Sequence, residues 1–181
     1  MPEYHISEIE KLVDGKLPWS RVQEIMKGAK DEGRFDQWIE LLQKRVEWKD
    51  RILLPIAPNL FIVRKRNGKR VVKCRCGQEF GDYRVNWKLE ALIHVRDTPK
   101  KLGEIYHGIE QPDAAWVHLR EYYCPKCGSQ LAVEAVPRGC PPDFEVLPDL
   151  DTFYREWLGD PLPDEVDPVD KTLEAMAAWK E

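Results

Sequence analysis

Cys74-Arg75-Cys76-Gly77 and, 47 residues further on, Cys124-Pro125-Lys126-Cys127-Gly128 decide how this chain is read. Thiolates two or three positions apart point into one small volume. A glycine just after the second lets the backbone turn back and aim amides at the sulfurs. Four such sulfurs suit a tetrahedral zinc ion at Zn–S distances of about 2.3 Å. The Cys-Pro-x-Cys-Gly form is a strong signal by itself, whereas the first pair, one residue tighter than CxxC, gains its weight from the second. With Cys74, Cys76, Cys124 and Cys127 filling all four positions, none is left for water or substrate. The expected zinc therefore folds the chain rather than catalyses.

Two other readings of the thiols stay open: a redox pair or disulfide, and two unrelated sets of buried cysteines. The first residues contain no apolar run resembling a signal peptide, so a reducing cytoplasm, where disulfides are rare, is expected. A redox CxxC would open a helix in a βαβ setting. Cys124 instead follows Glu121-Tyr122-Tyr123 and precedes a strand-like segment at residues 130–135.

The chain has 181 residues, enough for one ordinary core with appendages or for two small lobes. Its 28 basic and 32 acidic side chains leave a net charge of −4, which argues against a dedicated nucleic-acid binder. Arg64-Lys65-Arg66 with Lys69-Arg70 forms one local basic cluster, read as a solvated hairpin tip. Nothing approaches the ~20 apolar residues that span a bilayer. Of the seven tryptophans, Trp38, Trp87 and Trp157 are candidate packing or interface anchors.

The expected fold class is α+β, in three parts: a helical N-terminal arm (residues 1–50), a zinc-ribbon-like β platform with a helical insertion (51–136), and an extended, proline-rich C-terminal arm (137–181). In the first part, Ser7 with Glu10 and Ser20 with Gln23 read as capping boxes for helices stopped by Gly15 and Gly28. Phe35, Trp38, Ile39, Leu42 and Val46 mark one face of a third helix, read as a core face.

The platform opens with strands on either side of Asn67-Gly68, a pair that favours a type I′ turn, and the second strand runs into Cys74. Asn86 is expected to cap a helix bearing Leu89, Leu92 and Ile93, and Thr98-Pro99 to open another that includes Leu102, Ile105 and Tyr106 and closes near Gly108. Residues 116–123 read as extended. In the last part, four prolines between residues 137 and 148 precede a short helix with Phe153 and Trp157 on one face, ended by Gly159. Residues 172–180 could add a final amphipathic turn or two, and the proline-guided arm is read as lying across a partner or as a partly disordered tail.

No catalytic residues are assigned. GxSxG, a Gly-rich phosphate loop and HExxH do not occur, and the histidines at 5, 94, 107 and 118 have no metal-triad spacing. His94 reads as a hydrogen-bonded helix-end residue rather than a base. Cys140, between Gly139 and Pro141, reads as an idle thiol.

The stretch Ile52-Leu53-Leu54-Pro55-Ile56-Ala57-Pro58-Asn59-Leu60-Phe61-Ile62-Val63, the CxCG at Cys74, Asn86-Trp87-Lys88-Leu89, His94-Val95-Arg96-Asp97-Thr98-Pro99, Arg120-Glu121-Tyr122-Tyr123-Cys124-Pro125 and Phe153-Tyr154-Arg155-Glu156-Trp157-Leu158-Gly159 together resemble the gamma subunit of bacterial acetone carboxylase. The resemblance runs from about Leu12 to Pro163. It implies a cytoplasmic heterohexamer with alpha and beta subunits, two copies of each of the three. Such an enzyme carboxylates acetone with bicarbonate to acetoacetate while splitting ATP to AMP and two phosphates. The resemblance also implies that ATP and manganese sites lie in the larger subunits and that the gamma subunit carries zinc, with no nucleic-acid or membrane partner. Alternatives are the small subunit of an acetophenone-type carboxylase, a free-standing zinc-ribbon module that binds nucleic acid, and a CxxC redox protein.

Overall fold

The computed structural model describes residues 4–29, 32–107 and 110–179. Helices and antiparallel strands are both present, in agreement with the α+β expectation. The chain begins with α1 (Ile6–Val13), α2 (Trp19–Lys27) and α3 (Arg34–Lys44). The strands β1 (Arg51–Ala57), β2 (Leu60–Arg64), β3 (Arg70–Cys74) and β4 (Glu79–Asp82) then form a sheet in the order β1-β2-β3-β4. A second sheet, ordered β5-β6-β7, is built from Leu92–Arg96, Val117–Tyr123 and Gln130–Pro137.

The first sheet is buried on both faces: β2 is apolar from Leu60 to Val63, and β3 buries Val71 and Val72 between two cations, Arg70 and Lys73, that are each paired with carboxylates. Alternation along β2 sends Leu60 and Ile62 to one cluster and Phe61 and Val63 to another. On the Phe61 side, Leu42 joins Ile52, Val63 and Val71, with Trp38 and Ile39 packed against them. The helical stripe is thus a core face, as expected, although Val46 lies beyond the end of α3. Tyr4, Ile9, Ile25 and Leu41 make a further cluster that Trp38 also touches, tying α1 and α2 to α3.

The Leu60 side holds the main core. There Leu53, Ile62, Val72, Phe80 and Tyr83 meet Trp87, Tyr122 and Leu131, together with Leu150, Tyr154 and Leu162 from the proline-rich region. The Tyr154 hydroxyl donates to Leu53 O at 2.8 Å. Arg70 and Asp151, both buried, form a bidentate pair at 2.7 and 2.6 Å. Helix α5 (Leu150–Thr152) continues as a π-helical turn, Phe153–Trp157, which brings those two rings to 5.8 Å. Gly159 follows with φ +67°, and α6 is Thr172–Ala178; residue 180 lies outside the described residues.

Several local expectations change. Helix α1 is capped by the His5 ring, which accepts from the Ser7 amide, and not by Ser7. Helix α2 starts after Pro18 with no side-chain cap, leaving Ser20 inside it. The Asn67-Gly68 connection is not type I′: Gly68 has φ +86°, but no non-glycine residue has positive φ. Bonds from Gly68 N to Lys65 O and from Lys65 N to Lys69 O describe a three-residue loop closed by a left-handed glycine.

Asn86 does act as a cap, but over a short 3-10 turn, Trp87–Glu90. Leu92 and Ile93 belong to β5 and not to a helix, because five β5 residues pair with β6 and tertiary pairing overrides the local period. Thr98 caps α4 (Pro99–Gly103), which stops short of Ile105 and Tyr106; the expected stop at Gly108 lies outside the described residues. Among the described residues no helix is long and apolar enough to cross a membrane.

Candidate metal centre

The ends of two hairpins carry the four thiols. Cys74 closes β3 and Cys76 sits in the turn to β4; Cys124 follows β6 and Cys127 sits in the turn to β7. The two turns are built alike. Gly77 N donates to Cys74 O at 2.8 Å and Cys74 N to Gln78 O at 2.8 Å, while Gly128 N donates to Cys124 O at 2.9 Å and Cys124 N to Ser129 O at 2.9 Å. Both turns need a left-handed residue, supplied by Gly77 (φ +92°) and Gly128 (φ +70°).

The four sulfurs lie within 4.8 Å of one another. Two contacts cross between the hairpins, Cys76 to Cys124 at 3.6 Å and Cys74 to Cys127 at 3.8 Å. A tetrahedral ion with Zn–S bonds of about 2.3 Å has sulfur–sulfur edges of about 3.8 Å, so spacing and donor chemistry both fit a thiolate-bound metal. These separations are far too long for disulfides. Cys140 is exposed, outside the cluster, and its carbonyl accepts from Arg120. The cysteine quartet is therefore positioned to hold a metal ion, and Cys140 is not part of it.

Burial and hydrogen bonding treat the thiols differently. Cys74 and Cys124 are buried, Cys76 is half-buried and Cys127 is exposed. Burial pushes the Cys74 and Cys76 thiols up, opposed by the backbone amides of Cys76 and Gln78. The Ser129 hydroxyl, 3.3 Å from Cys127 Sγ, and the Ser129 amide pull Cys127 down to about 6. Amides thus point at the sulfurs as the glycine-closed turns require, favouring thiolates, the form that binds metal.

The turns are braced by residues that sequence reasoning did not assign. Trp48 Nε1 donates to Arg75 O at 3.0 Å, Arg75 N to Asn59 O at 2.9 Å, and Lys126 Nζ across to Cys76 O at 3.1 Å. Arg75 and Lys126 lie inside the two cysteine motifs and so carried a local signal, whereas Trp48 lies in neither.

The other singled-out residues do not converge with the thiols. Trp87 is buried and edge-on to Phe80 and Tyr122, Trp38 bridges two clusters, and Trp157 is 78% exposed. His94 lies exposed on a strand rather than at a helix end. In the basic cluster, Arg64 pairs with Asp164, Lys65 with Glu79 and Arg70 with Asp151.

The family model for the acetone carboxylase gamma subunit matches residues 46–158, a span that contains all four clustered cysteines. The chain is similar to the acetone carboxylase gamma subunit of Xanthobacter autotrophicus (strain ATCC BAA-1158 / Py2), with 44% identity over 165 residues that cover 91% of this chain and 98% of that one. It is also similar to the acetophenone carboxylase beta subunit of Aromatoleum aromaticum (strain DSM 19018 / LMG 30748 / EbN1), with 29% identity over 80 residues, 43% of this chain and 62% of that one.

Proposed function

The chain belongs to the acetone carboxylase gamma subunit family, and from that membership we propose that it is a zinc-binding structural subunit of an ATP-dependent ketone carboxylase. Cys74, Cys76, Cys124 and Cys127 are the ligands in this reading. The observation that carries it is the meeting of four sulfurs from two separate hairpins within 4.8 Å. Four thiolates make a closed site, and zinc there supplies cross-linking rather than Lewis-acid chemistry. Catalysis belongs to the larger alpha and beta subunits, which hold ATP and manganese; two copies of each of the three chains make a cytoplasmic heterohexamer.

The reaction is the carboxylation of acetone by bicarbonate to acetoacetate, with ATP split to AMP and two phosphates. Acetone is preferred over acetophenone because the acetone carboxylase relative matches at higher identity and over twice the share of this chain. Residues 1–50 and 137–181 act as arms that close on opposite faces of the β platform (51–136), consistent with the packing of Leu42 on one face and of Leu150 and Tyr154 on the other. A nucleic-acid role is disfavoured because three of the five cations at the hairpin are matched by carboxylates.

The test is the tagged chain expressed with its larger subunits. Wild type is expected to carry one zinc per chain and to copurify with two larger proteins whose ATP consumption depends on added ketone. Cys127→Ser is expected to lose zinc and assembly, while Cys140→Ser keeps both. Full zinc and a normal complex in Cys127→Ser would remove that thiolate from the ligand set.

A further inference from the structure

The second sheet has two edges, β5 and β7, and one hydrogen bond fixes the phase of its ladder. Arg138 N donates to Trp116 O at 3.0 Å, so even-numbered positions along β6 face β7. Odd-numbered Leu119, Glu121 and Tyr123 then bond to their β5 partners Arg96, His94 and Leu92. Ile93 and Val95 must turn their N–H and C=O groups away from the sheet. Lys101 Nζ, bonded to Val95 O at 2.9 Å from outside, confirms that direction. Among the described residues nothing bonds to the Ile93 N–H, the Ile93 C=O or the Val95 N–H.

The other edges are blunted in ways that natural sheets use to avoid pairing with strangers. Strand β1 contains Pro55 and two register shifts, and Gln43 and Tyr154 bond to its backbone at Ile52 and Leu53. Strand β4 has four residues and an irregular register. Strand β7 ends in Pro137 and offers Val133 as its exposed large aliphatic. Strand β5 has neither proline nor bulge. Its neighbours Leu92 and Ile93 point to opposite faces, yet are 57% and 42% exposed. An added strand would cover both.

The geometry points to β5 as the place where an extended segment of a larger carboxylase subunit joins the second sheet as a fourth strand, an assignment that rests on the subunit reading above. The incoming backbone pairs with Ile93 and with the Val95 amide, and its aliphatic side chains lie beside Leu92 on one face and Ile93 on the other. A second copy of this chain fits poorly. Two-fold antiparallel pairing centred on His94 would set His94 against His94 and Leu92 against Arg96, and would evict Lys101 from Val95 O; centred on Ile93 it would again need Val95 O, and with it the Ala91 N–H that already donates to Lys88 O.

Ile93→Pro is the incisive variant, because the N–H it removes makes no bond inside the chain and proline is tolerated at such an edge position. The isolated variant is expected to keep the circular dichroism and metal content of wild type. Its dissociation constant for the larger subunits should weaken about tenfold, the loss of roughly one backbone hydrogen bond. In wild type, hydrogen exchange at Ile93 and Val95 should slow on assembly. Equal assembly of variant and wild type, with those amides still exchanging freely, overturns the strand addition while leaving the subunit reading intact. Slowing confined to Val133 and Ala135 overturns it in favour of β7. A wild-type chain that binds no larger subunit overturns the subunit reading and the occupant named here together.

Discussion

Arg70 is a cation on the inner face of a strand, a placement that is stable only because of what the tail brings to it. Its guanidinium meets both Asp151 oxygens, and Asp151 also accepts from Val166 N at 3.0 Å. Burial works to raise the Asp151 carboxyl, but the Arg70 and Val166 bonds outweigh it and hold the group below its usual value. Asp151→Asn leaves the Arg70 charge buried without its counter-ion, at a cost of about 3–5 kcal/mol, to be read from urea or thermal midpoints. The sign of the pH effect follows from a depressed carboxylate. Its contribution is complete above the unfolded value near pH 4 and is lost as pH falls through the lower folded value. Wild type should therefore lose stability more steeply than Asp151→Asn below about pH 4, as measured by denaturant midpoints across that range.

At the scale of elements, two short turns set the precision of the metal centre. Gly77 and Gly128 both adopt left-handed backbone, but only Gly77 is also crowded: a Cβ there would stand 3.4 Å from Trp48 Cδ1, whereas one at Gly128 meets nothing within 4 Å. Gly77→Ala should destabilise the chain by about 1–2 kcal/mol through backbone strain alone. The added methyl would also press against the Trp48 ring that buttresses the turn. Gly128→Ala should cost less, since its φ is nearer the left-handed well that other residues can enter. Competition with a colorimetric chelator ranks the two: faster metal loss from Gly77→Ala than from Gly128→Ala is expected, and the reverse order would show that the Trp48 contact does not matter.

At the scale of the whole molecule, the thiolate cluster joins hairpins that belong to different sheets. The sheets also share an apolar core through Tyr122, Leu131 and Trp87, so a metal held by the quartet would act as a clasp on an existing interface. Structural zinc supplies on the order of 10 kcal/mol to small domains that have little else. Here removal should be partial in effect. A chelator is expected to lower the thermal midpoint by about 10 °C or more and to speed hydrogen exchange first at residues 74–78 and 124–130. Amides of β2, enclosed between two clusters, should stay protected. Acid should release the metal as the thiolates take up protons. Loss of protection throughout β2 on chelation would mean that the first sheet cannot stand without the metal.

The sequence determined which four cysteines cluster, the glycine-closed turns, the Leu60 and Arg70 strands, the apolar face of α3 and the family, because each is written in local spacing or in contiguous motifs. It did not determine that Leu92 and Ile93 form a strand, since a short apolar run after an Asn cap reads equally well as a helix and only pairing with β6 decides it. Nor did it reveal that Leu150 and Tyr154 complete the main core, or that Asp151 answers Arg70 across 81 positions of chain. Those outcomes depend on contacts between distant residues. Burial drives such contacts, and no local pattern encodes which segment will supply the missing apolar surface or the missing charge.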